Sequence, residues 1–359
     1  MMKKNILVVD DSALMRRIMC DIINSDGAFQ AVDTCRDGQE AYERLKTTRY
    51  DGVALDVNMP RMDGLQLLEK LQNDRIKATI IMVSTTTTKD ADVTIRAMER
   101  GAVDFVTKPN NVIEAKGEDF KKRLLEVLSA VIGTEKYNKE NRTSTTPRQY
   151  SGERIALKKD SGATKMGNKI IALACSTGGP KALQSVIPYL PAALDAPMVL
   201  VQHMPAGFTK SMAERLDEVS QIHVKEAEEG DVLQKGTVYV APGGRHMEVR
   251  KFPDGSHKIK LNDMPAIGGL RPCANVTYDS LRECGFAQIV CVVLTGMGAD
   301  GTNGILSLAK VKPVHVIAQD AATSVVYGMP KAIAETGLVD EVVPLTEVAK
   351  SIIKNVGVK

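Results

Sequence analysis

Short apolar runs, each followed by an amphipathic stretch, recur along this chain in two separate series. In the first, NILVV leads to a helix from about Ala13 and FQAVDTC to one from about Gln39. GVAL leads to one from Leu65, TIIMV to one near Asp92 and DFVT to one from about Asp119. Parallel strands need long crossovers, usually helices, so this alternation predicts a doubly wound, five-stranded parallel sheet over residues 3–132. Its last helix carries Phe120, Leu124, Val127, Leu128 and Val131 on one face, the period of a stripe packed on a core.

From 133 to 168 the text turns polar, without periodicity, and reads as a flexible linker. The second series then begins: KIIALA and a helix after Pro180, PMVLVQ and a helix after Gly207, TVYVAP, QIVCVVL and a helix after Gly301, VHVIAQ. Between them MEVRKF, PDGS and HKIKL read as a hairpin. Residues 169–359 are therefore expected to form a second α/β domain, mostly parallel and doubly wound, with a small antiparallel insertion. At 359 residues the chain exceeds what one core usually holds, which agrees with two domains.

Aromatic residues make up only 4% of the chain and Trp is absent, so aliphatic side chains must build both cores. The start, MMKKNILVVDD, lacks the apolar length and cleavage site of an export signal, and no window is apolar enough to span a bilayer. The expectation is a cytoplasmic protein without direct membrane insertion. Cys20, Cys35, Cys175, Cys273, Cys284 and Cys291 show no CxxC pair and read as reduced core residues. Basic and acidic residues number 20 and 21 up to Ile132, 8 and 4 from Gly133 to Asn168, and 19 each beyond. The whole excess lies in the linker, so neither domain shows the basic face of a nucleic-acid binder.

In a parallel sheet ligands bind beyond the carboxyl ends of the strands, so polar residues there are candidates. Asp10 and Asp11 end the first strand, Asp56 the third, Ser84 the fourth and Lys108 the fifth. Three carboxylates at one edge repel unless a lysine and a hard cation neutralise them, and oxygen ligands suit Mg²⁺. One of them can then attack a phosphoryl group. The texts LVVDDS, LDVNMPRMDG, MVS and FVTKP resemble the receiver domains of two-component response regulators. The resemblance implies that Asp56 accepts a phosphoryl group from a histidine kinase. It also implies Mg²⁺ on Asp11, Asp56 and the Asn58 carbonyl with Asp10 assisting, Ser84 and Lys108 on the phosphoryl oxygens, and Phe105 at the aromatic switch position. The run Thr85–Thr88 has no functional account at this level.

In the second half IIALAC runs into STGGPKAL, placing Ser176 on a turn between a strand and a helix start, where backbone amides stabilise an oxyanion. A Gly-rich turn here also suggests a nucleotide cradle, but GxGxxG spacing is missing and the next strand ends in Gln202-His203 rather than an acid. His203 is placed to serve as base, with His246 the runner-up; His257, His223 and His315 read as packing or surface residues. Asp300, in the glycine-rich loop after QIVCVVL, supplies the carboxylate, or caps the helix after Gly301, or both. GxSxG is absent and the order Ser, His, Asp is not that of the α/β-hydrolases.

CSTGGP, VQHMPAGF, PGGRHMEV, LTGMGADG and AQDAATSVVYGMP together resemble the chemotaxis protein-glutamate methylesterases. That resemblance implies demethylation of γ-glutamyl methyl esters on methyl-accepting chemotaxis receptors and deamidation of some glutamines, with no cofactor for the hydrolase. Ser176 would be nucleophile, His203 base and Asp300 orienter, with Thr177 and the Met297 backbone as oxyanion or positioning groups and Arg271 in the cleft. The text after Arg271 departs from the family's serine-valine-aspartate, reading Cys273, Ala274, Asn275. The expected partners are these receptors and a chemotaxis histidine kinase, the expected state a monomer, and the expected control a receiver that covers the cleft until Asp56 is phosphorylated. The rival classes are a receiver-controlled DNA-binding regulator and a dehydrogenase-like nucleotide binder.

Overall fold

The computed structural model describes residues 3–109, 111–115, 117–133 and 168–358. The first series folds as β1 (Lys4–Val9), α1 (Ala13–Ser25), β2 (Phe29–Cys35), α2 (Gly38–Thr47), β3 (Gly52–Asp56), α3 (Gly64–Asn73), β4 (Ile80–Ser84), α4 (Thr88–Glu99), β5 (Asp104–Thr107), a four-residue α5 (Val112–Ala115) and α6 (Glu118–Ile132). The strands pair in parallel in the order β2-β1-β3-β4-β5. Side-chain oxygens of Ser12, Asp37, Asp63 and Thr87 accept backbone amides at the starts of α1 to α4, which fixes where each helix begins.

The second series gives β6 (Lys169–Cys175), α7 (Gly179–Gln184), β7 (Met198–Gln202), α8 (Phe208–Val219), β8 (His223–Glu226), β9 (Thr237–Val240), β10 (His246–Lys251), β11 (His257–Asn262), α9 (Ala274–Ser280), β12 (Gln288–Val293), α10 (Thr302–Ala309), β13 (Val314–Gln319), α11 (Met329–Ala334), β14 (Glu341–Val343) and α12 (Val348–Val356). Seven of these strands form a parallel sheet in the order β14-β13-β12-β6-β7-β9-β8. The expected hairpin is present as β10 and β11, antiparallel from His246 opposite Asn262 to Lys251 opposite His257. The short elements α5, α9, α11 and β14 were not expected, because three to seven residues show little period; nor was α12, although it is longer. The expected linker, 133–168, lies outside the described residues except at its ends.

The central strands β6, β7 and β12 are buried almost throughout, as a sheet covered on both faces requires. The two halves pack on each other: α4 lies against α7 and α8, and Ala91, Ile95, Met98 and Phe105 share one apolar cluster with Phe208 and Met212. Among the described residues no helix is long and apolar enough to cross a membrane.

Candidate active site and its switch

Because β12, β6 and β7 are neighbours in one parallel sheet, the loops after them meet at the same edge, and these loops carry Asp300, Ser176 and His203. Gly178 takes φ +76°, a left-handed conformation that turns the chain from β6 into α7. A Cβ on Gly179 would collide with the side chain of Gln202, so this turn and the end of β7 press together. Gln202 was not singled out in the sequence, yet it buttresses the edge: its Nε2 donates to the Ser176 carbonyl at 3.1 Å and its Oε1 accepts from Cys175 Sγ at 3.0 Å. A polar residue closing the apolar run VLVQ was the available signal.

His203 and Asp300 are in contact, with Nε2 2.8 Å from Oδ2 and side chains only 7% and 6% exposed. The other ring nitrogen, Nδ1, is buried and has no hydrogen-bond partner among the described residues. Ser176 is buried, and no hydrogen bond of its Oγ is present among the described residues. Burial raises the Asp300 carboxyl, but hydrogen bonds and charge from His203, then the Ala274 amide and the Cys273 thiol, bring it down to about 2. Asp300 is thus a carboxylate at any working pH.

The Ser176 N–H is committed to the Thr295 carbonyl at 3.0 Å, and among the described residues the Thr177 and Met297 amides donate to no carbonyl. Thr295, a further residue not singled out earlier, donates from Oγ1 to the Thr177 carbonyl at 2.9 Å. Arg271 is exposed and reaches the Asp263 and Met264 carbonyls. Among the other histidines, His246 is buried with Nε2 3.2 Å from the Pro265 carbonyl, and His257 stacks on Phe286 and accepts the Gly285 N–H. His223 pairs with Asp217 and His315 with Glu341, which fits their expected packing and surface places.

At the edge of the first sheet, Asp10, Asp11 and Asp56 offer carboxylate oxygens that all lie within 4.8 Å of one another. Lys108 Nζ reaches Asp10 at 2.7 Å and Asp56 at 2.9 Å. Burial, then the charge of Asp10, pushes Asp56 up to about 6 despite that lysine. Burial works against the Lys108 ammonium, but Asp56 and Asp10 outweigh it. One cation facing three carboxylates leaves surplus negative charge in an all-oxygen setting, which fits a hard divalent ion. Ser84 is buried, and its hydroxyl is taken up by α4, accepting from Thr94 Oγ1 at 2.7 Å; among the described residues no hydrogen bond joins it to Asp56. The Asn58 side chain likewise reaches α4, donating to Asp90 Oδ1 at 2.6 Å.

The expected switch residue and the expected catalytic edge meet. Phe105 stacks on Phe208, with ring centroids 4.5 Å apart and planes at 23°. Asp104, beside it, is buried, and among the described residues its Oδ2 lacks a hydrogen-bond partner. Burial raises its carboxyl, against the lowering effects of the Arg123 charge, the Phe105 amide and, last, the nearby Thr177 hydroxyl, which also lacks a hydrogen-bond partner among the described residues. Arg215 on α8 grips both oxygens of Glu99 on α4 at 2.6 and 3.2 Å. The run Thr85–Thr88 now has a place: Thr85 donates to Asp90, Thr87 caps α4, and the Thr86 carbonyl faces Gly207, at the start of α8.

Residues 171–352 match the family model for CheB methylesterase, and residues 6–116 that for the response regulator receiver domain. A protein-glutamate methylesterase/protein-glutamine glutaminase of Geobacillus kaustophilus is 42% identical over 98% of both chains. Its counterpart in Pyrococcus horikoshii is 43% identical over 99% of this chain and 94% of its own. The crystal structure of the Thermotoga maritima CheB methylesterase catalytic domain superposes with a TM-score of 0.51 at 42% identity, covering 53% of this chain and 99% of that one. A DNA-binding or dehydrogenase-like second half finds no support in these matches.

Proposed function

The chain belongs to the CheB methylesterase family and carries a response regulator receiver domain, and from that premise we propose that phosphorylation of Asp56 sets how fast Ser176 hydrolyses γ-glutamyl methyl esters of chemotaxis receptors. The observation that carries the hydrolytic half is the pairing of His203 Nε2 with Asp300 while Nδ1 stays buried and unpartnered at the strand end next to Ser176. Ser176 Oγ attacks the ester carbonyl carbon as its proton passes to Nδ1. The tetrahedral oxyanion is received by the Thr177 and Met297 amides. Collapse breaks the bond to the methoxy oxygen, which leaves as methanol with the proton from Nδ1. Water, deprotonated at the same nitrogen, then hydrolyses the acyl-serine to glutamate. A glutamine side chain follows the same path with ammonia as leaving group, so one site serves both reactions. Arg271, at the exposed rim, is assigned to substrate positioning.

The switch half rests on the contact between the halves. Residues 3–132 form the switch unit and 169–359 the hydrolase, joined by 133–168. Phe105 on Phe208, and Asp104 near enough to Thr177 to feel its hydroxyl, support a receiver that lies close to the residue after Ser176. Phosphorylation of Asp56 by a histidine kinase draws Lys108 and the Ser84 hydroxyl onto the new phosphoryl oxygens. Taking the Ser84 hydroxyl from α4 shifts the face that holds α7 and α8. Asp11, Asp56 and the Asn58 carbonyl, backed by Asp10, would hold Mg²⁺, which supplies charge neutralisation during phosphoryl transfer. The protein is proposed to work as a cytoplasmic monomer on the cytoplasmic parts of its receptors.

Methanol release from methylated receptor, by wild type and Ser176→Ala, with and without a small-molecule phosphodonor and Mg²⁺, tests both halves. Activity that needs Ser176 and rises with the donor is expected. Donor-independent activity sinks the switch, and Ser176-independent activity sinks the hydrolytic assignment.

A further inference from the structure

Asp300 accepts more hydrogen bonds than the orientation of one histidine requires. Its Oδ2 takes His203 Nε2 at 2.8 Å and the Ala274 N–H at 2.6 Å. Its Oδ1 takes the Asn275 N–H at 3.1 Å, the Gly301 N–H at 2.9 Å and Cys273 Sγ at 3.1 Å. Cys273 and His203 are the two side chains that bond this carboxylate among the described residues. The segment is itself pinned, since Asn275 Oδ1 accepts the Gly301 N–H at 3.1 Å and the Gly304 N–H at 2.7 Å. Cys273 to Asn275 and Asp300 to Gly304 therefore clasp each other from both sides.

We infer that the Cys273 thiol is a positioning residue for the hydrolytic reaction, holding Asp300 Oδ1 so that Oδ2 stays aligned on His203 Nε2. A carboxylate can rotate about its terminal torsion, which is broad, and the amides that hold it come from two separate segments, the start of α9 and Gly301. A thiol side chain adds a directional donor from a third direction. Burial, then the charge of Asp300, pushes this thiol up to about 12, so it keeps its proton and remains a donor. Being 1% exposed, it contributes no nucleophile of its own.

The inference rests on the triad of the proposed function, and the experiment separates the two. Steady-state methanol release from methylated receptor is measured for Cys273→Ala, Cys273→Ser, Ser176→Ala and wild type. The low-field proton resonance of the His203–Asp300 hydrogen bond is recorded for each. Cys273→Ala is expected to lower kcat roughly ten-fold, the scale of one donor to a charged group. KM should stay within roughly two-fold, since the thiol touches no substrate. The low-field resonance should move, and Cys273→Ser should restore both quantities. If the alanine variant does not fold, Cys273→Val fills the thiol's volume without a donor and is read the same way. Wild-type kcat and an unmoved resonance in the donor-free variant would reduce Cys273 to packing. A fully active Ser176→Ala would instead sink the triad, whatever Cys273 does.

Discussion

Phe105 at the end sheet strand of the receiver and Phe208 at the start of the helix that follows His203 stack with their centroids 4.5 Å apart, both buried. One aromatic pair thus ties the last strand of the receiver sheet to the helix that follows the His203 loop.

Phe105→Ala should loosen that tie. An aromatic pair contributes about 1 kcal/mol beyond its buried area, roughly a five-fold change in an equilibrium. Basal methanol release without phosphodonor should rise by that order, while the fully phosphorylated rate stays near that of wild type. An unchanged basal rate would mean that the stack does not hold the halves together.

Asp104→Asn should act in the opposite direction. Burial raises the Asp104 carboxyl, which means that its surroundings in the folded chain disfavour the charge. A neutral amide removes that cost and can donate to Thr177 Oγ1. Basal activity should fall several-fold, and more phosphodonor should be needed to reach half-maximal rate. A rise in basal activity would show instead that the carboxylate stabilises the docked state.

Stability against pH should carry the signature of Asp56. Its carboxyl goes from 3.8 to about 6 on folding. A group raised in this way favours folding below its unfolded pKa, and the contribution is lost as pH rises through about 6. Asp300 runs the other way: with a folded value of about 2, its contribution is present above 3.8 and lost as pH falls toward 2. In the absence of Mg²⁺, Asp56→Asn should therefore be more stable than wild type near pH 7.5, by roughly 1–3 kcal/mol in urea unfolding. The gap should close below about pH 4. Equal stability of the two near neutrality would contradict an unrelieved carboxylate cluster.

Gly296→Ala should damage the catalytic edge from behind. A Cβ there would lie 2.8 Å from Ser176 Cβ and collide with Met329 Sδ. Overpacking of this kind costs about 1–3 kcal/mol, so the melting temperature should drop by several degrees. Because the strain falls on Ser176 itself, kcat should fall more than KM changes. A variant with wild-type kcat and melting temperature would show that the edge can yield there.

Much of the candidate site was legible because each residue closes an apolar strand or lies in the loop that follows one. Asp10, Asp56 and Lys108 end strands of one series and meet; Ser176, His203 and Asp300 follow strands of the other, and His203 meets Asp300 at the sheet edge beside Ser176. Residues that act sideways were not legible. Gln202 looked like the polar end of a strand, and only packing against Gly179 reveals it as a buttress. The helix Met329–Ala334 is too short to show a period, although its Met329 lies behind Ser176.

Alternation of apolar runs and amphipathic stretches determined two parallel sheets, because hydrogen bonding and burial leave few other ways to satisfy such a pattern. Chemistry-bearing residues at the strand ends marked one edge of each sheet as its candidate site. The relation between the two sheets was decided only in three dimensions. That Phe105 meets Phe208 and that Glu99 meets Arg215 are contacts between residues more than 100 positions apart. They depend on the shapes of two finished domains, and no local period or spacing in a sequence records how one folded surface fits another.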